Sequence, residues 1–97
     1  MDSQPRVRWT FTTSPEQKET CGNTVTVSLH RDVMVVETES LQWIEPYGMM
    51  VRMTERREQV IIRRDKERTW VLPKESIPDE ALKILHHEFA RKYRKGW

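Results

Sequence analysis

The sequence predicts an α+β domain spanning residues 1–97, in which an antiparallel meander of strands is closed by a C-terminal helix. Three observations carry this. Apolar residues alternate with polar ones at a period of two near the N-terminus. Later apolar runs are separated by about four polar residues each, the spacing of consecutive hairpins. The stretch Arg68 to Trp97 reads as a strand, a proline stop and an amphipathic helix.

Val7, Trp9 and Phe11 alternate with Arg6, Arg8, Thr10 and Thr12, giving a half-buried first strand. Ser14-Pro15-Glu16-Gln17 has the order of a helix start, and Gly22 supplies a stop, so a surface helix of at most two turns is expected. Val25, Val27 and Leu29 then alternate with Thr24, Thr26 and Ser28. His30-Arg31-Asp32 is a turn, and Val33 to Thr38 is a β-branched run. Leu41 to Ile44 is a short strand or a buried anchor, and Pro46-Tyr47-Gly48 breaks the chain. Met49, Val51 and Met53 alternate with Met50, Arg52 and Thr54. Strand cores follow at Val60 to Ile62 and at Thr69 to Leu72, with polar turns at 55–58 and 64–67.

The final helix is expected from Pro78 through Tyr93. At about 100° per residue, Ala81, Leu82, Ile84, Leu85, Phe89 and Tyr93 share one side, opposite Glu80, Lys83, His87, Arg91 and Arg94. Ser76 with Asp79 resembles a capping box, and Gly96 is placed to close the helix. Asp79 and Glu80 near its start, and Arg91 to Lys95 near its end, complement the helix dipole. Six or seven short strands and one helix suit a strongly curved sheet or a small split barrel. Val60 and Ile62 oppose Ile61, and Trp70 and Leu72 oppose Val71, so both strand faces are apolar there. A sheet covered on both sides, or a dimer interface, has that pattern.

From Trp43 to Tyr93 the layout resembles the C-terminal domain of YcxB-like bacterial proteins. The shared features are the tryptophan strand segment (Trp43), the hairpins, the tripeptide Leu72-Pro73-Lys74 and the helix from Pro78. The resemblance implies a pleckstrin-homology-like fold and no established biochemical activity. Members of that family usually carry transmembrane helices ahead of this domain. No run of about 18 apolar residues occurs here.

Composition narrows the chemistry. The N-terminus lacks a basic segment followed by an apolar one, so no signal peptide is expected and the cytoplasm is the expected compartment. Cys21 is the only cysteine, which excludes an intramolecular disulfide and a thiolate cluster. A Cys/His nucleophile would need Cys21 beside His30, His86 or His87, and nothing around Cys21 has such a signature. Glu37 and Glu39 share a strand face, where paired acids ordinarily serve solvation. His86 and His87 are adjacent on a helix and point about 100° apart, so they cannot hold one ion together. Three scattered glycines make no phosphate loop. No catalytic residue, metal or cofactor is expected.

Binding remains. Trp70, Ile61, Met49, Met50 and Trp97 exceed what one small core needs, and Trp, Met and Arg are enriched at interface centres. The expected contacts with another protein, or with a second copy in a homodimer, are Trp70, Ile61, Arg63, Met50 and Trp97. A short, charged, catalytically bare chain also suits an inhibitor or immunity-type protein that masks a surface. The alternative is nucleic acid. Residues 1–51 hold four basic and seven acidic side chains, whereas residues 52–97 hold thirteen basic and eight acidic. Arg52, Arg63, Arg64 and Arg68, with Arg56 and Arg57, lie on consecutive hairpins around Trp70 and could grip phosphates. Glu55, Glu58, Asp65 and Glu67 lie in the same turns and would repel them, and cross-strand ion pairing explains the pattern as well.

Overall fold

The structure, a computed structural model, describes residues 4–13, 24–64 and 68–96. The expected helix at 14–22, with Cys21, lies outside the described residues, as does Trp97.

Among the described residues, eight strands form two four-stranded sheets rather than the single curved meander expected, and they do not close into a barrel. The first sheet is an antiparallel meander of β1 (Val7–Thr12), β2 (Thr24–Leu29), β3 (Val33–Glu37) and β4 (Gln42–Pro46). The second runs in the order β7 (Thr69–Pro73), β6 (Gln59–Arg63), β5 (Arg52–Glu55), β8 (Tyr93–Lys95). One helix, α1 (Asp79–Glu88), lies between β7 and β8. Strand parity decides which side chains meet. Trp9, Phe11, Val25, Val27, Leu29, Met34 and Val36 from the first sheet share one core with Met53, Val60, Ile62, Trp70 and Leu72 from the second. Ile77, Ala81, Leu85 and Phe89 add the helical side of that core.

The C-terminal segment departs from expectation. The apolar stripe continues to Tyr93, but the helix ends at Glu88. Phe89 still donates to the Leu85 carbonyl at 2.9 Å; then a tight turn closes, with Lys92 N–H on the Phe89 carbonyl at 2.8 Å. The chain leaves the helix because β5 offers it a better partner. Met53 N–H reaches the Lys92 carbonyl at 3.0 Å and Gly96 N–H reaches the Glu55 carbonyl at 2.7 Å, so residues 93–95 pair in parallel with β5. Lys92 Nζ adds bonds to the carbonyls of Tyr47 (3.0 Å) and Met50 (2.7 Å). These non-local bonds outweigh local helical periodicity. Gly96 therefore closes a strand, not a helix.

Two smaller expectations also change. Ser76 does not cap the helix: its hydroxyl donates to the Pro73 carbonyl at 2.7 Å, inside a short 3₁₀ turn at Lys74–Ser76. The alternation Met49, Val51, Met53 breaks, because Tyr47–Met49 is another 3₁₀ turn and β5 starts only at Arg52. Met50 and Met53 are buried, while Met49 and Val51 stand in solvent.

Candidate functional site

Two carboxylates point inward, each from a strand that feeds the core. Glu45 lies opposite Met34 on β4, which gives it the inward parity, and it is fully buried. Arg64 Nη1 donates to its Oε1 at 2.7 Å, Trp70 Nε1 to its Oε2 at 2.8 Å, and Arg68 Nε stands 3.4 Å from Oε2. Trp43 packs on Trp70 in a T-shaped pair, 5.2 Å between ring centroids. One carboxylate thus ties the edge of the first sheet to β6 and β7 of the second.

Glu55 on β5 is 5% exposed. Its Oε1 accepts from Tyr93 Oη at 2.6 Å and meets His86 Nε2 at 2.8 Å, while Oε2 pairs with Lys74 Nζ at 2.5 Å. Burial alone would raise this carboxyl, but bonds from Lys74, Tyr93 and His86 and the Lys74 charge outweigh it and hold the pKa at about 2. The bond to Glu55 pushes the Tyr93 phenol up, with burial in support. A carboxylate that fixes one imidazole nitrogen can in principle prepare a histidine for proton transfer. Here His86 stands beside the last strand, its ring 5.0 Å from that of Tyr93. Two surface depressions lie elsewhere, one lined by Arg57, Gln59, Val71 and Glu75 and another by Arg8, Thr26, Glu37 and Glu39. Among the described residues, no three His, Cys, Asp or Glu side chains gather as a metal would require.

The outer surface divides into two distinct regions. Leu41, Ile44, Met49 and Val51 are the exposed large apolar side chains among the described residues, each more than half exposed. All four fall within residues 41–51: Leu41 just before the edge strand β4, Ile44 on it, and Met49 and Val51 on the connection to β5. The second region is the outer face of the β5–β8 sheet. Register places Arg52 opposite Arg63, Thr54 opposite both Ile61 and Arg94, and Ile61 opposite Val71. Arg52, Arg63 and Arg94 are exposed and no strand residue on that face is acidic, while Glu58 and Glu75 line a depression with its Gln59 and Val71.

The expected contact residues scatter across these regions. Trp70 and Met50 are core residues at 2% exposure and present no surface, because their strand parity and turn geometry aim them inward. Ile61 is half-buried and Arg63 exposed, both on the outer sheet face. Of the expected phosphate-binding arginines, Arg52 and Arg63 come together, whereas Arg64 and Arg68 turn inward to Glu45. Sequence reading gave Glu45 no role and counted Glu55 among surface charges that would repel phosphate. Inward parity on their own strands was the available signal, and it becomes visible only once strand boundaries are known. Compared with protein-family models, with curated proteins and with solved structures, the chain matches none.

Proposed function

We propose that this chain is a non-enzymatic protein-binding module whose contact segment is residues 41–51. The observation that carries the reading is that the exposed large apolar side chains among the described residues, Leu41, Ile44, Met49 and Val51, all fall on one edge strand and the residues flanking it. Single exposed apolar residues scattered over a surface need no explanation, but their concentration in one short segment favours an interaction surface. The pleckstrin-homology-like reading, and with it kinship to YcxB-like domains, belongs to the same proposal. A four-strand meander, a three-strand meander and then a helix supports it. We assign the cytoplasm as its compartment and an inhibitor-like masking role as one form its binding could take.

The test is site-specific photo-cross-linking. A benzophenone amino acid at Ile44 should give a discrete adduct with a protein in extract of the source cells or with purified chain. The same group at Lys83, on the exposed side of α1, should give none. Adducts at neither position, or equally at both, would overturn the assignment of the contact segment.

A second reading has its own observation. Arg52 and Arg63 are like charges directly opposite each other on adjacent strands, a placement that costs stability unless an anion takes it up. With Arg94 they form a cationic sheet face suited to a phosphate backbone. Trp70, which could have stacked a base, faces the core instead. Titration with single- and double-stranded oligonucleotides should then show a steep salt dependence, and Arg52→Gln or Arg63→Gln should each reduce the slope by about one. A salt slope that neither substitution changes would remove this reading.

A further inference from the structure

We propose that the occupant of the β4 edge is a second copy of this chain, joined antiparallel about a two-fold axis centred on Ile44. The inference rests on the assignment of residues 41–51 as the contact segment and names its partner. The four sheet edges differ. β1 packs beside α1 and the Lys74–Ser76 turn. β7 ends in Pro73, and β8 is three residues long with two of them basic. Short and charged edges resist pairing, which disfavours β8. β7, like β4, ends in a proline, but its outward-facing Thr69, Val71 and Pro73 include no exposed large apolar side chain. β4 alone among them carries an exposed large apolar side chain, Ile44.

The backbone of β4 is in phase for self-pairing. Thr38 N–H bonds to the Leu41 carbonyl at 2.8 Å and Tyr47 N–H to the Asp32 carbonyl at 3.1 Å. With the β3–β4 register, this turns the backbone groups of Leu41, Trp43, Glu45 and Tyr47 toward β3. Those of Gln42 and Ile44 point away, at the free edge. Pro46 shares their phase but has no N–H, so it can only accept. Centred on Ile44, two copies overlap along the whole of β4. Ile44 exchanges both bonds with its counterpart, and each Gln42 N–H meets the other copy's Pro46 carbonyl. All four outward donors are satisfied, and the two Ile44 side chains stand directly opposite on the outer face.

Charge does not oppose this. The outward side chains of β4 are Gln42, Ile44 and Pro46, and the strand's single acid, Glu45, is buried against Arg64 and Arg68. Five residues give only about 17 Å of paired edge. A seam one short strand long is small beside a standard interface of roughly 20–30 residues a side, so the dimer is reversible and weak.

Sedimentation velocity from about 10 µM to about 1 mM should show a monomer converting to a dimer. Amide exchange at Gln42 and Ile44 should slow with concentration, while that at Thr10 of β1 should not. Ile44→Lys changes an exposed position, leaves the core intact and should weaken dimerisation by at least about tenfold. Thr10→Lys should leave it unchanged. A strict monomer up to the highest concentration overturns the proposal, and so does a dimer indifferent to Ile44→Lys. Monomeric behaviour combined with an Ile44 cross-link to a different protein removes the second copy and leaves the contact segment standing. Monomeric behaviour with no cross-link removes both.

Discussion

Glu45 and Glu55 are both inward-facing strand carboxylates, yet they fasten different parts of the molecule and surround themselves differently. Glu45 is fully buried between the sheets and is met by two guanidiniums and an indole. Glu55 sits where α1, β5 and β8 converge, met by a lysine, an imidazole and a phenol. The first holds sheet to sheet, and the second holds the C-terminal strand to the sheet it extends. Breaking each centre should therefore give different symptoms.

The largest effect is expected at Glu45, and it should be asymmetric. Arg64 and Arg68 keep 23% and 33% of their side chains in solvent, whereas Glu45 keeps none. Replacing both arginines by methionine strands a buried charge and should cost about 3–5 kcal/mol in chemical denaturation. Glu45→Gln leaves guanidiniums that can turn to water, and should cost clearly less. If the glutamine variant proved the more damaging, the centre would not be limited by desolvation of the carboxylate.

Glu55 should reveal itself in pH. Its folded pKa of about 2 lies below the ordinary 4.5, so the unfolded chain binds a proton first as pH falls. The stabilisation is complete above about pH 4.5, and is lost as pH drops through that value toward 2. A shift of this size corresponds to roughly 3 kcal/mol. Denaturation midpoints measured from pH 6 to pH 2 should fall steeply for the native sequence, and Glu55→Gln should flatten that part of the curve. An unchanged acid slope in the variant would mean that Glu55 is not the linked group.

Local pattern exposed half of this architecture and hid the other half for a physical reason. Val7, Trp9 and Phe11 reveal β1, and Val25, Val27 and Leu29 reveal β2, because a strand's faces are written at period two. The same logic fails at residues 89–96. Ala81, Leu85, Phe89 and Tyr93 keep a helical spacing of four, but what ends the helix is the open edge of β5, 38 residues upstream of the tyrosine that joins its glutamate. The candidate site was legible to the same extent. Ile61 and Arg63 do share a face, but Trp70 and Met50 looked surplus only because the core was counted for one sheet rather than two. Glu45 and Glu55 read as ordinary surface acids, since nothing in a single strand announces the cation that will meet it from another.

Tryptophans sharpen the comparison at smaller cost. Trp70 and Trp9 are both buried, but Trp70 donates to Glu45, whereas Trp9 Nε1 finds no partner among the described residues. Trp70→Phe removes a bond to a charged acceptor and should cost about 2 kcal/mol beyond the lost volume. Trp9→Phe loses similar volume but frees a buried donor from its unmet desolvation. Its measured cost by thermal denaturation should be the smaller of the two by roughly 1–3 kcal/mol. Equal costs would show that the Glu45 centre does not depend on the indole.

The smallest effect belongs to the last strand. A Cβ at Gly96 would stand 2.9 Å from Thr54 Cγ2, 3.2 Å from Arg56 Cγ and 3.4 Å from the Glu55 carbonyl oxygen. Arg56 can swing aside, but the β-branched Thr54 is stiff at its first torsion. Gly96→Ala should thus press β8 away from β5, and the reduced freedom of the unfolded alanine chain offsets part of that strain, leaving about 1 kcal/mol of net destabilisation. The damage should be local. Amide exchange should quicken at Gly96 and at Met53, two of the donors that join these strands. Amides in the β3–β4 hairpin around Glu45 should keep their rates. Faster exchange throughout both sheets would instead mean that the two carboxylate centres open as one cooperative unit.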